Sequence, residues 1–177
     1  MLIRPRTDAD VSSCERLARE VHSRDGYPAY LPGDDLVAFL VTPGALRAWV
    51  AEGPDGVAGH VALHPRSSAA VMASASERLG APPERLAVVA RLLVGPGARG
   101  QGIGRLLLET ASYDAVARGL WPVLDVAKDL RSAIALYESC GWVRVGEVTV
   151  RLPDGRDLEE FVYVAPPTVI GEAPSVG

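Results

Sequence analysis

The stretch from Leu86 to Gly119 (LAVVARLLVGPGARGQGIGRLLLETASYDAVARG) places the strongest constraint on how this 177-residue chain folds. Residues 86–94 form a short apolar run interrupted by one arginine, which predicts a buried strand. Apolar residues then recur at helical spacing from Ile103 until Gly119 can end the helix. Four glycines lie between the two runs, and a fifth, Gly104, follows Ile103. The stretch therefore predicts a strand, a glycine-rich loop and a helix in succession.

A glycine-rich loop in front of a helix is suited to binding a phosphate. The first helical turn carries backbone N–H groups that have no partner within the helix, together with the positive end of the helix dipole. Glycine lets the backbone approach an oxyanion and adopt positive φ angles. Arg99 and Arg105 add charged donors. A turn that serves only close packing is the alternative, and the density of glycines favours phosphate binding over it.

Two motifs overlap in this loop, and the first is typical of dinucleotide-binding folds. Residues 95–100 (GPGARG) fit G-x-G-x-x-G, and Asp125 lies about where such a fold places its ribose-binding acid. However, Pro96 removes one N–H from the loop. Only about fifty residues follow Asp125, which is too few for the rest of a doubly wound sheet. A nicotinamide-dependent oxidoreductase is therefore the least favoured interpretation.

The second motif is shared with a family of acetyltransferases. Residues 99–104 (RGQGIG) fit R/Q-x-x-G-x-G/A, and residues 133–142 (AIALYESCGW) fit A-I-x-L-Y-E-x-x-G-F/W. In these two segments the sequence resembles the GNAT (GCN5-related N-acetyltransferase) superfamily. The resemblance implies an enzyme that transfers an acetyl group from acetyl-CoA to a primary amine by direct attack in a ternary complex. A small molecule, an amino acid and a peptide N-terminus all remain open as the acceptor.

The resemblance also implies roles for individual residues. Tyr137 is expected to protonate the departing thiolate, although its place on an apolar helical stripe equally fits a core tyrosine. Asp125 stands where members similar to ribosomal-protein alanine acetyltransferases carry a catalytic glutamate, and a carboxylate that caps the end of a strand is the alternative. The residues expected to bind acetyl-CoA are Leu92, Leu93, Val94, Arg99, Gly100, Gln101, Gly102, Ile103, Gly104 and Arg105.

Two departures from the family pattern keep a second function open. Leu130 occupies the position at which many members have an asparagine, and the strand before Val94 lacks the glutamate that serves as the base in histone-type members. A non-catalytic domain that senses acetyl-CoA on the same fold is therefore the alternative to an enzyme.

The hydrophobic pattern and the resemblance together predict an α/β (α+β) GNAT fold. We expect a mixed central sheet of about seven strands with flanking helices, in which the parallel strands ending near Val94 and Val126 splay apart. The residues are expected to form one domain over 1–165 and a disordered tail over 166–177. The predicted strands cover residues 2–6, 46–51, 57–63, 86–94, 120–127, 143–152 and 158–164, and the predicted helices cover 10–23, 36–40, 69–79, 103–119 and 132–140.

Composition excludes several other functions. A net charge of −4 argues against a nucleic-acid or anionic-membrane partner, and the charged N-terminal sequence favours a cytoplasmic protein. Cys14 and Cys140 lack metal or redox spacing, so we expect reduced thiols. His60 and His64 would share a strand face, but without a third ligand they make a poor zinc site. The apolar terminal strands allow a homodimer.

The acceptor site is the part of the sequence that is least constrained. By resemblance it is built from residues 23–39 and 148–160, and the helix predicted over 69–79 is an insertion that we expect to lie near it. An ammonium group could be attracted by Asp34, Asp35, Glu159 and Glu160. Solvated surface carboxylates are the alternative for these four residues.

Overall fold

A computed structural model of the chain describes residues 1–31 and 35–170, and it contains seven strands and six helices in those ranges. The strands are β1 (Leu2–Pro5), β2 (Arg47–Gly53), β3 (Gly56–His64), β4 (Leu86–Val94), β5 (Trp121–Ala127), β6 (Val143–Arg151) and β7 (Asp157–Val164). The helices are α1 (Val11–Asp25), α2 (Leu36–Leu40), α3 (Ala69–Leu79), α4 (Ile103–Ala117), α5 (Arg131–Ser139) and α6 (Pro167–Ile170). No helix in the described ranges combines the length and the apolar character needed to cross a bilayer.

The strands form one mixed sheet in the order β1-β2-β3-β4-β5-β7-β6. Neighbours pair antiparallel in β1–β2, β2–β3, β5–β7 and β6–β7, whereas β4 and β5 are parallel. The parallel pairing joins residues 86–88 to residues 121–123, and both strands continue beyond it. The predicted mixed sheet with a parallel pair is therefore confirmed.

The chain divides into two compact units, which we describe separately. Unit 1 contains residues 1–65 and 89–111, and unit 2 contains residues 66–88 and 112–177. A single domain over 1–165 stays a prediction. Part of the predicted tail forms the short helix α6, and residues 171–177 lie outside the described residues.

In unit 1, helix α1 begins after a capping arrangement at Thr7. The backbone N–H of Thr7 donates to Asp10 Oδ2 at 2.8 Å, and Arg4 Nη2 pairs with Asp10 Oδ1 at 2.8 Å. The helix then buries one apolar face, as its predicted amphipathic pattern requires. The core cluster of this unit consists of Cys14, Leu17, Ala18, Val21, Leu36, Leu40, Val50 and Leu93.

In unit 2, helix α3 is the insertion that follows β3 in the chain. The Ser68 hydroxyl caps it by accepting a hydrogen bond from the Val71 N–H at 3.3 Å, and Gly80 ends it with a φ of 61°. The helix packs against β6 and β7. Its buried residues are Val71, Met72 and Ala75. The predicted bounds of this helix are therefore confirmed.

Within unit 1, Gly59 marks a close approach between β3 and the start of α4. A Cβ atom at this position would lie 2.8 Å from Leu107 Cδ1, 3.1 Å from Ile103 Cγ2 and 3.1 Å from the Leu93 carbonyl oxygen. These atoms are buried, so they have little room to move. Only glycine fits between the strand and the helix without displacing them.

We therefore expect Gly59→Ala to lower the free energy of unfolding by about 1–3 kcal/mol, the usual range for overpacking a core. Urea unfolding measures the effect. Gly97→Ala is the matched control, because a Cβ at Gly97 meets no atom within 4 Å. Equal unfolding midpoints for the two variants would contradict the close approach.

Candidate functional site

The glycine-rich loop of unit 1 has the backbone geometry that anion binding requires. Gly100 and Gly102 both have a φ of 77°, in the left-handed region that favours glycine. The helical hydrogen bonds begin with Leu106 N–H donating to the Gly102 carbonyl at 3.1 Å, so the earlier N–H groups of the turn lie outside that ladder. A Cβ added at Gly100 or Gly102 would meet open space, so positive φ explains these glycines.

Arg99 is held by α1. Its guanidinium forms a bidentate ion pair with Asp25, in which Nη1 lies 3.3 Å from Oδ1 and Nη2 contacts Oδ2. Its Nε donates to the Val94 carbonyl at 3.3 Å. Arg99 therefore ties the loop to the end of α1, and a phosphate at Arg99 would share the guanidinium with Asp25. Arg105 lies exposed in the first turn of α4.

The residues expected to bind pantetheine follow an unusual backbone conformation in β4. Arg91 has a φ of 54°, a left-handed conformation that costs a non-glycine residue about 1–2 kcal/mol. Leu92, Leu93 and Val94 come directly after it. The strand is therefore redirected at Arg91, just before the segment whose backbone groups are implied to contact the cofactor.

Buried histidines hold this residue on two sides. The Arg91 carbonyl lies 3.0 Å from His60 Nδ1, the Arg91 Nη1 donates to His64 Nε2, and the Arg91 guanidinium lies 5.0 Å above the ring of Phe39. Arg6 Nη1 lies 3.2 Å from His60 Nε2 and donates to the Leu40 carbonyl at 2.7 Å. These five side chains form what we term the Arg91 cluster.

The partners of His60 define its tautomer. An arginine can only donate, so His60 Nε2 accepts from Arg6; a carbonyl can only accept, so His60 Nδ1 carries the proton. The ring is therefore neutral. Burial, with the two guanidinium groups nearby, lowers the pKa of His60 from 6.5 to about 4.

His64 has the same electrostatic environment. Its Nε2 accepts from Arg91, and burial together with the positive charge of Arg91 lowers the pKa of His64 to about 4. Across residues 1–31 and 35–170, no three histidine, cysteine, aspartate or glutamate side chains cluster as a metal site would need. The side-chain partners of His60 and His64 are arginines, namely Arg6 for His60 and Arg91 for His64.

In unit 2, Tyr137 lies in α5 and is buried among aromatic rings. Its ring centroid is 6.1 Å from that of Tyr163 and 6.3 Å from that of Trp142. The Tyr163 hydroxyl donates to Glu138 Oε1 at 3.0 Å. Tyr137 and Glu138 of α5 therefore lie on the face of the sheet that bears the Tyr163 side chain.

Asp125 lies on the other face of the same strands. In the β5–β7 register Asp125 pairs with Val162, and Ala127 pairs with Glu160. Side chains alternate along a strand, so Asp125, Glu160 and Val162 share one face while Tyr163 points from the opposite one. The structure thus separates Asp125 from Tyr137 by the sheet and places a second carboxylate, Glu160, diagonally beside Asp125.

Glu160 is buried, so the alternative interpretation of a solvated surface carboxylate does not hold for this residue. Its exposed fraction is 9%, and burial together with the negative charge of Asp125 raises its pKa from 4.5 to about 7. Neighbouring Glu159 is exposed, with its carboxylate 3.8 Å from Lys128 Nζ. Asp35 caps α2 by accepting from Ala38 N–H, and Asp34 lies outside the described residues.

The sequence predicted no role for His60 or Arg91, and it named Glu160 only as a carboxylate that could attract an ammonium group. The roles of His60 and Arg91 depend on pairing between distant strands, and the burial of Glu160 depends on the β5–β7 register. The even spacing of His60 and His64 was a visible signal, but it indicated only a shared face. Leu130, at the position of the family's asparagine, precedes α5 and donates its N–H to the Ala127 carbonyl at 3.1 Å.

The buried histidines predict a loss of stability in mild acid. Because their folded-state pKa lies below that of the unfolded chain, the unfolded state takes up protons first as pH falls from about 6.5 towards 4. His60 alone accounts for at most about 3 kcal/mol over this window. Thermal unfolding of His60→Gln should therefore show a shallower pH dependence than the parent protein.

Glutamine retains one donor for the Arg91 carbonyl and one acceptor for Arg6, so it removes the titration and keeps the hydrogen bonds. Above pH 7 histidine is neutral in both states, and the parent and variant should then share one slope, which serves as the internal control. Identical slopes below pH 6 would show that His60 is protonated in the folded protein.

Comparison with known proteins agrees with this geometry. Residues 13–142 match the model of the acetyltransferase (GNAT) family. A search of curated protein sequences found no significant match.

Solved structures show the same fold at low sequence identity. The structure of yncA from Salmonella typhimurium with its cofactor acetyl-CoA is 18% identical, with a TM-score of 0.68 over 99% of this chain and 98% of that one. The ribosomal-protein-S18-alanine N-acetyltransferase of Escherichia coli is 19% identical, with a TM-score of 0.66 over 99% and 96%. Arabidopsis thaliana NAA60, in complex with a bisubstrate analogue, is 19% identical, with a TM-score of 0.66 over 92% and 95%. The family match covers most of the chain, and the protein therefore belongs to the GNAT acetyltransferase family.

Proposed function

We propose that the protein is an N-acetyltransferase that transfers the acetyl group of acetyl-CoA to a primary amine. The observation that carries this proposal is the loop with two left-handed glycines, Gly100 and Gly102, in front of α4. Family membership supports the same assignment, as does a structural neighbour that holds acetyl-CoA. The pyrophosphate would bind to the N–H groups of residues 100–105, with Arg105 as a charged donor.

The reaction sets requirements, and each of them is assigned to a residue or segment of the chain. A neutral amine attacks the thioester carbonyl, the developing oxyanion needs oriented donors, and the thiolate that leaves needs a proton. Backbone N–H groups of residues 92–94 are proposed to polarise the carbonyl. No covalent intermediate on the enzyme is required.

Tyr137 is proposed as the acid that protonates the thiolate. Its position in the L-Y-E motif supports this role, and the rings of Tyr163 and Trp142 fix its side chain. A phenol with an ordinary pKa near 10 is a suitable proton donor to a thiolate.

Asp125 is proposed as the carboxylate that receives the incoming amine. It is half-buried on the sheet face opposite Tyr163. The acceptor remains a primary amine of open identity: among the structural neighbours, the Escherichia coli protein is a ribosomal-protein-S18-alanine N-acetyltransferase and another is a spermidine N-acetyltransferase chimera.

A domain that binds acetyl-CoA without catalysis is the second candidate. The absence of a family-type asparagine at Leu130 favours it, together with the ion pair that occupies Arg99. The two candidates differ in whether bound acetyl-CoA is consumed when an amine is supplied.

The first experiment is a thermal-shift titration of the protein with acetyl-CoA, with NAD as the control ligand. A ligand that binds only the folded state adds about 2.7 kcal/mol at 100 times its dissociation constant. We expect stabilisation by acetyl-CoA alone. Stabilisation by NAD alone would refute the proposal, because it would assign the loop to the overlapping dinucleotide motif.

The assignment of Tyr137 predicts a separation of catalysis from binding. Tyr137→Phe should lower kcat by about 10²- to 10⁴-fold, the usual contribution of a general acid, and leave stabilisation by acetyl-CoA unchanged. Tyr113→Phe is the matched control, since Tyr113 is 56% exposed on α4.

Thiol release with a panel of primary amines measures both variants. An unchanged kcat in Tyr137→Phe would remove the acid assignment. A parent protein that binds acetyl-CoA and acetylates none of the amines would favour the sensing domain.

A further inference from the structure

Glu160 is a largely buried residue whose carboxylate has no counter-ion. Its exposed fraction is 9%, and within the described part of the chain no hydrogen bond or ion pair reaches its carboxylate. Its oxygens are not among the buried side-chain atoms that lack a partner, so the carboxylate is open to water or to a ligand. Such a carboxylate is typical of a site where a ligand supplies the missing charge.

Among the charged residues of α3, β5, β6 and β7, only Asp125 shares the sheet face of Glu160. Strand alternation puts Glu159 on the opposite face of β7, and it puts Lys128, Arg144 and Glu147 on that opposite face as well, where Lys128 and Arg144 lie over the Phe161 ring. The charged residues of α3, Glu77 and Arg78, are exposed. No cation from these elements compensates Glu160.

Helix α3 packs on this face of the sheet. Gly146 pairs with Val162 and so belongs to the face of Glu160, and a Cβ at Gly146 would lie 2.1 Å from Ser74 Oγ of α3. Val162 is fully buried between Asp125 and Glu160 along this face. The inserted helix therefore covers the strands beside the two carboxylates.

We propose that Glu160 is the general base of the acetyltransferase and that it acts with Asp125 on an acceptor that enters as an ammonium ion. The assignment rests on the proposed function. Asp125 holds the ammonium group, and Glu160 takes its proton.

The proton balance of the reaction fits this pair. In the overall reaction RNH₃⁺ and acetyl-CoA give the N-acetyl amine, CoA thiol and one H⁺. Glu160 takes the first proton from nitrogen, the C–N bond forms, and the C–S bond breaks as Tyr137 protonates sulfur. The second proton from nitrogen restores the phenol, and Glu160 releases its proton to solvent after each turnover.

The pair also specifies a class of acceptor. Two carboxylates on a covered face attract an ammonium group and repel a carboxylate on the adjacent carbon. The acceptor should therefore be an amine or a peptide N-terminus, and free α-amino acids should be poor acceptors. Alaninamide and alanine form a matched pair that differs in this carboxylate.

The first test follows the Glu160 carboxyl carbon by ¹³C NMR during a pH titration, with Glu160→Gln to assign its resonance. We expect a midpoint near 7 that falls in Asp125→Asn and falls on adding alaninamide, because an ammonium ion favours the ionised form. A midpoint near the ordinary value of 4.5 would overturn the proposal without any activity measurement.

The second test compares Glu160→Gln with Glu84→Gln, a glutamate that is exposed and lies outside the proposed site. Glu160→Gln should lower kcat for alaninamide by about 10²-fold or more and abolish the rise in kcat/KM through pH 7, while Glu84→Gln keeps both. Glu160→Gln should also have a higher Tm than the parent protein at pH 8. The raised folded-state pKa means that ionising Glu160 destabilises the fold as pH rises through 7.

The outcomes separate the two levels of the assignment. Absence of acetyl-CoA binding would remove the proposed function. Acetylation with Glu160→Gln as active as Glu84→Gln would leave the function intact and remove Glu160 as the base. A lower Tm for Glu160→Gln at pH 8 would give Glu160 a structural role instead.

Discussion

The hydrogen bond between the His60 ring and the Arg91 carbonyl is the interaction on which the geometry of β4 depends. Arg91 has a left-handed backbone conformation, which a residue other than glycine keeps only when its surroundings stabilise it. The bond requires a proton on Nδ1, and Arg6 requires a lone pair on Nε2, so a neutral ring alone satisfies both. A protonated ring would add a third positive charge between two guanidinium groups. Electrostatics and backbone geometry are thereby coupled immediately before residues 92–94.

The parts of the fold that could be predicted are those encoded locally. The glycine loop, the helix after it and the inserted helix α3 follow from turn residues and apolar spacing within a few positions. The roles of Arg99 and Glu160 could not be predicted in this way. The phosphate binding expected of Arg99 stays a prediction, whereas its ion pair with Asp25 could not be predicted because Asp25 is 74 positions away along the chain. The environment of Glu160 depends on a strand register and on the covering helix.

The inserted helix packs on the sheet face that bears Asp125 and Glu160. Its approach to β6 requires Gly146, since any side chain there would occupy the position of Ser74. Burial of this face is the first cause of the raised pKa of Glu160, and the charge of Asp125 is the second. A carboxyl group with a pKa near 7 is matched to accepting a proton at neutral pH, which an exposed glutamate with an ordinary pKa does poorly. The insertion therefore covers part of the sheet face on which the proposed base lies.

Strand alternation keeps the two proposed proton-transfer groups apart. Glu160 and Tyr163 are three residues apart on β7, so their side chains leave the sheet on opposite faces. Tyr163 packs against Tyr137 on one face. Burial and the hydrogen bond to Glu138 raise the pKa of Tyr163 to about 12, so the Tyr163 phenol is protonated at neutral pH. The opposite face carries the carboxylates. A base in contact with the acid would exchange protons with it directly, so separation by the sheet makes the amine and the thiolate the groups through which protons pass.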